Sequence, residues 1–260
     1  MKKPASVCGK KFIPLFLAVI AVFSGCGVEE YYYLPQIPEG NIEVELNTKA
    51  VIRLPNVDTN PTGFYYFKGF NIYYRIYVSG LLLNGKIQNS SDMLGSVNSY
   101  LYSDYSAIYP STDSTNTSVN TSIASLFRNR NYYELALAEA DIKNVLSKGS
   151  TAEISFEPNT GRRPTLSING GTPYTLYRSD GENTFTPVPN RFFLNSDDLN
   201  KTENINSQKN ADVANMSGSP SAIRYTYVSM YIVMTGMDSN FTTIYGNPTF
   251  IGVLKLPEAN

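Results

Sequence analysis

The sequence predicts a mainly β fold of antiparallel strands with one or two short helices inserted, and three observations point there. Twenty tyrosines and thirteen phenylalanines occur in 260 residues that include no tryptophan and no histidine, and aromatic side chains suit the pleated, half-buried surface of a sheet. Long segments alternate in polarity, above all FYYFKGFNIYYRIYVS at 64–79 and IRYTYVSMYIVM at 223–234. Between such segments lie the pairs Asn169-Gly170 and Asp180-Gly181, which accept the positive φ angles of tight hairpins.

Taken in order, residues 41–55, NIEVELNTKAVIRLP, read as a half-buried strand in which Ile42, Val44 and Leu46 alternate with Glu43, Glu45 and Asn47. After the turn Asn60-Pro61-Thr62-Gly63, the strand at 64–79 places Phe70, Ile72, Tyr74, Ile76 and Val78 on one face. Asn71, Tyr73, Arg75 and Tyr77 take the other. From 89 to 109 the period changes: Met93, Leu94, Val97, Leu101, Tyr105 and Ile108 recur at helical spacing behind the N-cap candidates Ser90, Ser91 and Asp92, and Pro110 ends the helix. The polar tract 111–122 reads as an exposed loop.

Residues 123–137 read as a helical turn followed by the strand YYELAL, and 139–146 as a short helix closed by Gly149. Residues 152–188 form a meander, ISFEP, TLSI, TPYTLYR and NTFTPV, joined by the Asn-Gly and Asp-Gly turns. The stretch 195–220 is polar and reads as a loop or flap. The strand at 223–234 and TFIGVLKLP at 249–257 close the chain.

The long strands at both ends, GFNIYYRIY early and YTYVSMYIVM with TFIGVLKLP late, resemble the core of a fibronectin type III or immunoglobulin-like sandwich. The tryptophan and cysteine pair of true immunoglobulin domains are missing. The resemblance implies an antiparallel β-sandwich over 41–260, with 80–220 as a large insertion or a subdomain.

The first forty residues have a different character. Lys2, Lys3, Lys10 and Lys11 precede the uncharged run FIPLFLAVIAV, Phe12 to Val22, the charged region and apolar core of a secretory signal. A bilayer span needs roughly 20 apolar residues, and this run is about half that length. It ends not in a small-residue site for ordinary signal peptidase but in Phe23-Ser24-Gly25-Cys26. These four residues resemble the lipobox of bacterial lipoproteins, with Phe23 where leucine is usual, as in the permissive lipoboxes of spirochaete lipoproteins. The resemblance implies cleavage between Gly25 and Cys26, a diacylglycerol on the Cys26 sulfur and acylation, as with palmitate, of the new amino terminus. Each buried CH₂ contributes about 0.8 kcal/mol, so several chains on one cysteine make a lasting anchor.

Residues 1–25 are then a signal peptide and 26–40 a lipidated cysteine with a short tether. Tyr31, Tyr32 and Tyr33 admit two readings, rings resting at the lipid interface or a first strand. Removal of 25 residues from 260 leaves 235, enough for a substantial core. The leader holds four lysines and no acid, so of 21 basic and 22 acidic residues the mature chain keeps 17 and 22, a net charge of −5. That balance argues against nucleic acid as a partner. Cys8 leaves with the leader and Cys26 is lipidated, so no disulfide is available.

Without histidine, Ser-His-Asp catalysis, His-ligated zinc and imidazole acid–base chemistry are excluded. Carboxylate pairs remain, with Glu43 and Glu45 on one strand face and Glu134, Glu139 and Asp141 close in sequence. Residues 195–203, NSDDLNKTE, are the densest run of oxygen ligands but have Asn200 where a calcium loop of the EF-hand type needs glycine. No phosphate-binding glycine motif is present, and Arg162 and Arg163 are a pair of turn cations. Tyrosine is the one recognition residue in excess, and Tyr73 and Tyr77, expected to face outward, are the candidate binding residues.

The expectation is a non-enzymatic lipoprotein of the bacterial cell envelope, anchored through Cys26, with no cofactor or metal and with a protein or glycan ligand. An outer-membrane location is favoured, with the domain on its surface or periplasmic side. The alternative is an envelope glycan hydrolase using a carboxylate pair.

Overall fold

A computed structural model describes residues 34–45, 48–57, 65–79, 99–108, 123–137, 140–156, 164–179, 212–215, 225–238 and 241–256. All belong to one unit, Tyr33–Asn260. The lipobox, Tyr31 to Tyr33, residues 111–122, the Arg162-Arg163 pair, the Asp180-Gly181 turn and the 195–203 stretch lie outside these residues.

The chain enters the domain as a strap. Leu34 and Ile37 are buried, the Gln36 side chain donates to the Pro248 carbonyl at 3.0 Å, and the Thr249 hydroxyl donates to the Ile37 carbonyl at 2.8 Å. The expected 26–40 tether therefore packs onto the fold from Leu34 onward. A 3₁₀ turn at Glu39–Asn41 leads into β1 (Ile42–Glu45).

Residues 41–55 form a hairpin rather than one strand: β1 turns back into β2 (Lys49–Arg53), with Glu45 opposite Lys49. β2 continues to β5 (Thr151–Ser155) and β6 (Thr165–Ile168). Registered rows cross this half of the sheet. Val44, Ala50, Ile154 and Leu166 are aligned and buried, while Glu43, Arg53, Lys49 and Glu153 line the outer side, ion-paired as Lys49–Glu153 at 3.2 Å and Arg53–Glu43 at 3.6 Å. One solvated face and one buried face is the usual state of an antiparallel sheet.

The other half is built on β3 (Tyr65–Ser79) and β9 (Tyr225–Asp238), antiparallel along nearly their whole length. β3 is flanked by β4 (Tyr133–Leu137) at Tyr73–Tyr74 and, in parallel, by β8 (Val213–Asn215) at Ile76–Val78. β9 is flanked by β10 (Thr243–Tyr245) near its end and by β11 (Thr249–Leu256). β7 (Tyr174–Ser179) joins the halves by pairing with both β6 and β4. The path is β1-β2-β5-β6-β7-β4-β3-β9-β10, so strands from the 80–220 region complete the sheet.

The ladders thus form one strongly curled antiparallel sheet, a half-barrel. The two facing sheets of the sandwich expectation are replaced by a single sheet that bends until β11 packs against β1 and β2. Two bulges help it bend. Lys68 is the extra residue between Phe67 and Gly69 in β3, and Ile251 the extra residue between Phe250 and Gly252 in β11. Each is followed by a glycine at high positive φ, 136° at Gly69 and 140° at Gly252, and bulges increase local twist.

Among the described residues three α-helices sit on the sheet. α1 (Ser99–Ile108) lies within the expected helix and buries Leu101, Tyr105 and Ile108. α2 (Ile123–Asn129) and α3 (Ile142–Val145) match the other two helical expectations. α3 is capped by Asp141, whose carboxylate accepts from the Lys143 amide at 2.9 Å. The turn after β6 carries Asn169 and Gly170 at φ 50° and 69°, closed by the Gly171 amide on the Ile168 carbonyl at 2.9 Å, as its Asn-Gly pair predicts.

α3 crosses β3 at Gly69, where a Cβ would run into the backbone of Lys143. Replacing Gly69 with alanine is expected to cost about 3 kcal/mol, from a φ that only glycine tolerates plus the lost helix contact. Gly40→Ala, whose Cβ meets nothing within 4 Å, is expected to change stability by less than about 0.5 kcal/mol. Urea unfolding of the two variants measures the difference, and equal stabilities would show that the α3 crossing does not constrain β3.

Candidate functional site

The outer face of the β3–β9 pair brings Tyr73 opposite Tyr231, Arg75 opposite Ser229 and Tyr77 opposite Tyr227. The expectation that Tyr73 and Tyr77 face outward is corrected here. Both point away from the curl, as the alternation requires, but α1 and α2 cover that face, leaving Tyr73 6% and Tyr77 0% exposed. Leu101, Tyr105 and Ile108 of α1, Ile123 and Phe127 of α2, Phe250 of β11 and Tyr132 complete one buried cluster.

Local sequence explains how Tyr132 arrives there. α2 ends with the Tyr132 amide on the Phe127 carbonyl at 2.9 Å and the Asn131 amide on the Arg128 carbonyl at 3.0 Å, with Asn131 at φ 55°. This is the left-handed cap that commonly ends helices, with asparagine in glycine's place. It turns the chain sharply and sends Tyr132 into the cluster. Phe127 then stacks on Tyr73, ring centroids 4.2 Å apart and 5° from parallel, and Tyr132 meets Tyr231 edge to face at 5.4 Å.

Within these rings runs a line of polar atoms. Asp104 of α1 accepts from Arg75 Nη1 on Oδ2 at 2.5 Å and from Arg130 Nη1 on Oδ1 at 3.3 Å. The Tyr77 hydroxyl also donates to Oδ2. The Tyr132 hydroxyl lies 3.1 Å from that of Tyr77 and donates to Ser229 Oγ at 3.1 Å. The Arg75 guanidinium sits 5.4 Å from the Tyr77 ring centroid, close enough for cation–π attraction. The carboxylate joins α1, β3 and the turn after α2, and Tyr77 and Tyr132 carry the line on to Ser229 of β9.

Burial lifts the phenols. Tyr77 and Tyr231 are raised well above their ordinary value, chiefly by desolvation and then by Tyr132. Tyr132 is pushed up to about 12 by burial, against hydrogen bonds to Ser229 and Tyr77 that lower it. Tyr73 is raised by burial and by the charge of Glu134. All four are therefore neutral at physiological pH, and none is poised as a nucleophile. The cluster is a polar clamp of the helices to the sheet.

The carboxylates singled out from the sequence are divided by the fold. Glu43 and Glu45 lie on the outer side of β1, where Glu43 pairs with Arg53. Glu134 is opposite Tyr73 and is raised by burial, with Lys143 opposing and Asp141 adding to the shift. Glu139 lies outside the described residues. Among the described residues no three of Asp, Glu, Cys and His come close enough to hold a metal ion. A buried ion pair was not anticipated from the sequence. Its signal was present: Asp104 interrupts the apolar helix face of Leu101, Tyr105 and Ile108, and Arg75 interrupts the tyrosine face of 73 and 77.

No protein-family model, no curated protein and no solved structure matches this chain.

Removing Asp104 leaves Arg75 buried without its counter-charge. Asp104→Ala is expected to cost about 3–5 kcal/mol, and Tyr132→Phe about 1 kcal/mol, both read by urea unfolding; a loss under about 1 kcal/mol for Asp104→Ala would show that the carboxylate holds nothing together.

The raised phenols bind their protons more tightly in the folded state than in the unfolded chain. The contribution of Tyr132 is complete below the unfolded value of 10 and is lost as pH rises from 10 through about 12, and those of Tyr73, Tyr77 and Tyr231 are likewise lost as pH rises above 10. The melting temperature should fall as pH rises above 10, with the phenolate absorbance of Tyr73, Tyr77 and Tyr231 appearing on unfolding. Glu134 titrates in the acid range: its ionised form is penalised in the fold, and the penalty disappears as pH falls through the raised value and below the ordinary 4.5. Glu134→Gln is expected to raise the melting temperature at pH 7 and to lose that advantage below 4.5; an advantage independent of pH would discard this account.

Proposed function

We propose that this chain is a membrane-anchored lipoprotein of the bacterial cell envelope, whose β-rich domain serves as a non-enzymatic binding or structural module. The observation that carries the reading is the order of residues 2–26: four lysines, an uncharged apolar run of about half a bilayer span, then Phe23-Ser24-Gly25-Cys26. Leu34 is already packed on the domain, and only eight positions separate it from Cys26, a spacing in keeping with a folded domain held close to its lipid.

The partners under this reading are the membrane, through acyl chains on Cys26, and a protein or glycan ligand on the exposed surface. The tyrosine face at 73 and 77 serves the interior, so ligand contacts are sought elsewhere on the domain. An outer-membrane location is favoured, and Gly27 carries no charge beside the lipidated cysteine.

Cells producing the wild-type chain and given labelled palmitate should yield a labelled, membrane-bound protein lacking residues 1–25. Cys26→Ala should abolish the label and leave the longer precursor. Equal mass and equal membrane partitioning of the two would overturn the lipoprotein reading.

A further inference from the structure

The two most exposed large apolar side chains among the described residues are Phe241, 76% exposed, and Tyr66, 58% exposed. They lie at one end of the molecule. Phe241 is in the turn between β9 and β10, and Tyr66 is opposite Met237, one residue from where β9 enters that turn at Asp238. The turn's flanking residues are bonded to one another: the Phe241 amide donates to the Asp238 carbonyl at 3.1 Å, the Asp238 amide to the Thr242 carbonyl at 3.0 Å, and the Thr242 amide to Asp238 Oδ1 at 2.7 Å. Phe241 sits at φ 61°, where glycine or asparagine carries the backbone at lower cost. An apolar ring is thus held outward where stability alone favours a small residue.

The same end receives the chain from the anchor. A Cβ on Gly236 would lie 3.2 Å from Leu34 Cδ1, and one on Gly246 would lie 3.1 Å from the Leu34 carbonyl oxygen, so Leu34 rests across the β9–β10 pair two residues short of the turn. Direction matters as well as position. Ile37 bonds to Thr249, Gln36 to Pro248, and Leu34 lies against Gly246 and Gly236. Traced back toward Cys26, the chain therefore advances toward the turn that carries Phe241.

Lengths agree. Eight residue steps from Cys26 to Leu34 reach at most roughly 28 Å. The two strand residues from Gly236 to Asp238 cover only about 7 Å. The turn lies within the distance the tether allows between Leu34 and the lipid. Exposed Lys68, the extra residue of the β3 bulge, adds a cation near this end, suited to lipid phosphate.

We infer that the β9–β10 end, tipped by Phe241 and Tyr66, is a membrane-docking surface that rests in the headgroup layer of the bilayer holding the Cys26 lipid. The proposal rests on the lipoprotein reading and adds an orientation to it. Aromatic rings with polar surroundings are favoured at that depth.

The chain has no tryptophan, so a single indole reports its own surroundings. The full lipidated protein carrying Phe241→Trp, and separately Tyr66→Trp, would be placed in phosphatidylcholine–phosphatidylglycerol vesicles with and without brominated acyl chains. Tyr174→Trp, at the exposed start of β7, is the reference. Bromine quenching at least about twofold stronger at 241 and 66 than at 174, with blue-shifted emission, is the expected result for rings at the interface. Palmitate label and vesicle flotation are measured on the same preparations. Labelled, floating protein whose 241 and 66 reporters are quenched no more than the reference overturns the docked orientation and leaves the anchor standing. Unlabelled protein that does not float overturns the anchor reading, and this inference with it.

Discussion

Burial of both faces of the β3–β9 pair is the constraint on which the rest of the structure depends. A strand pair with one wet face needs a single cover, as β1, β2, β5 and β6 illustrate with their outer row of ion pairs. β3 and β9 need two. The curl of the sheet supplies one, enclosing Phe70, Ile72, Tyr74, Ile76, Met230 and Ile232; α1 and α2 supply the other. Once covered, the charge on the second face must find a partner, because an unpaired buried charge costs far more than a paired one. Arg75 dictates an acid on α1, and Asp104 then fixes where α1 sits along the strands. The inner face repeats the logic. Tyr74 donates to buried Asp212 at 2.7 Å, while the Asp212 carbonyl accepts the Ile76 amide at 2.9 Å, seating the parallel strand β8 beside β3.

Much of this was legible in the sequence, and the errors have physical causes. Period-2 alternation located β3, β9 and β11, and the change of period located α1. Residues 41–55 passed for one strand because Ile42, Val44, Ala50 and Ile52 all carry even numbers, so the count runs unbroken through the three-residue loop of the hairpin. Tyr73 and Tyr77 were assigned to the correct face of β3, but alternation separates two faces without saying whether the second is covered. The covering groups lie 24 to 59 residues away in sequence, at Leu101 and Tyr132 among others. Sandwich against single curled sheet is equally invisible locally, since it depends on two bulges and on β7 bridging the halves.

The candidate site was legible only in fragments. A lone acid on an apolar helix face and a lone cation on an aromatic strand face are each ordinary, and their meeting is set by tertiary packing. The proposed anchor is different in kind: it is read from four residues and a leader whose chemistry does not depend on packing. The chain's two cysteines, Cys8 and Cys26, lie outside the described residues, and within these the aromatic stack and the Asp104 clamp take on the cross-linking of distant segments.

The pairing of β3 with β9 joins residues about 150 positions apart in the chain, and such non-local contacts close slowly because loop entropy is lost before contact energy is gained. A chain emerging N-terminus first exposes β3 long before its partner exists. Among the described residues nothing else offers β3 an equivalent ladder: β4 and β8 touch it over only two and three residues. The edge of β3 that faces β9 therefore stays unpaired until residues 225–238 arrive. Under the proposed lipoprotein reading, in which the chain is threaded through a membrane pore, this delay suits export, because the β3–β9 pair closes only once its last strand has crossed.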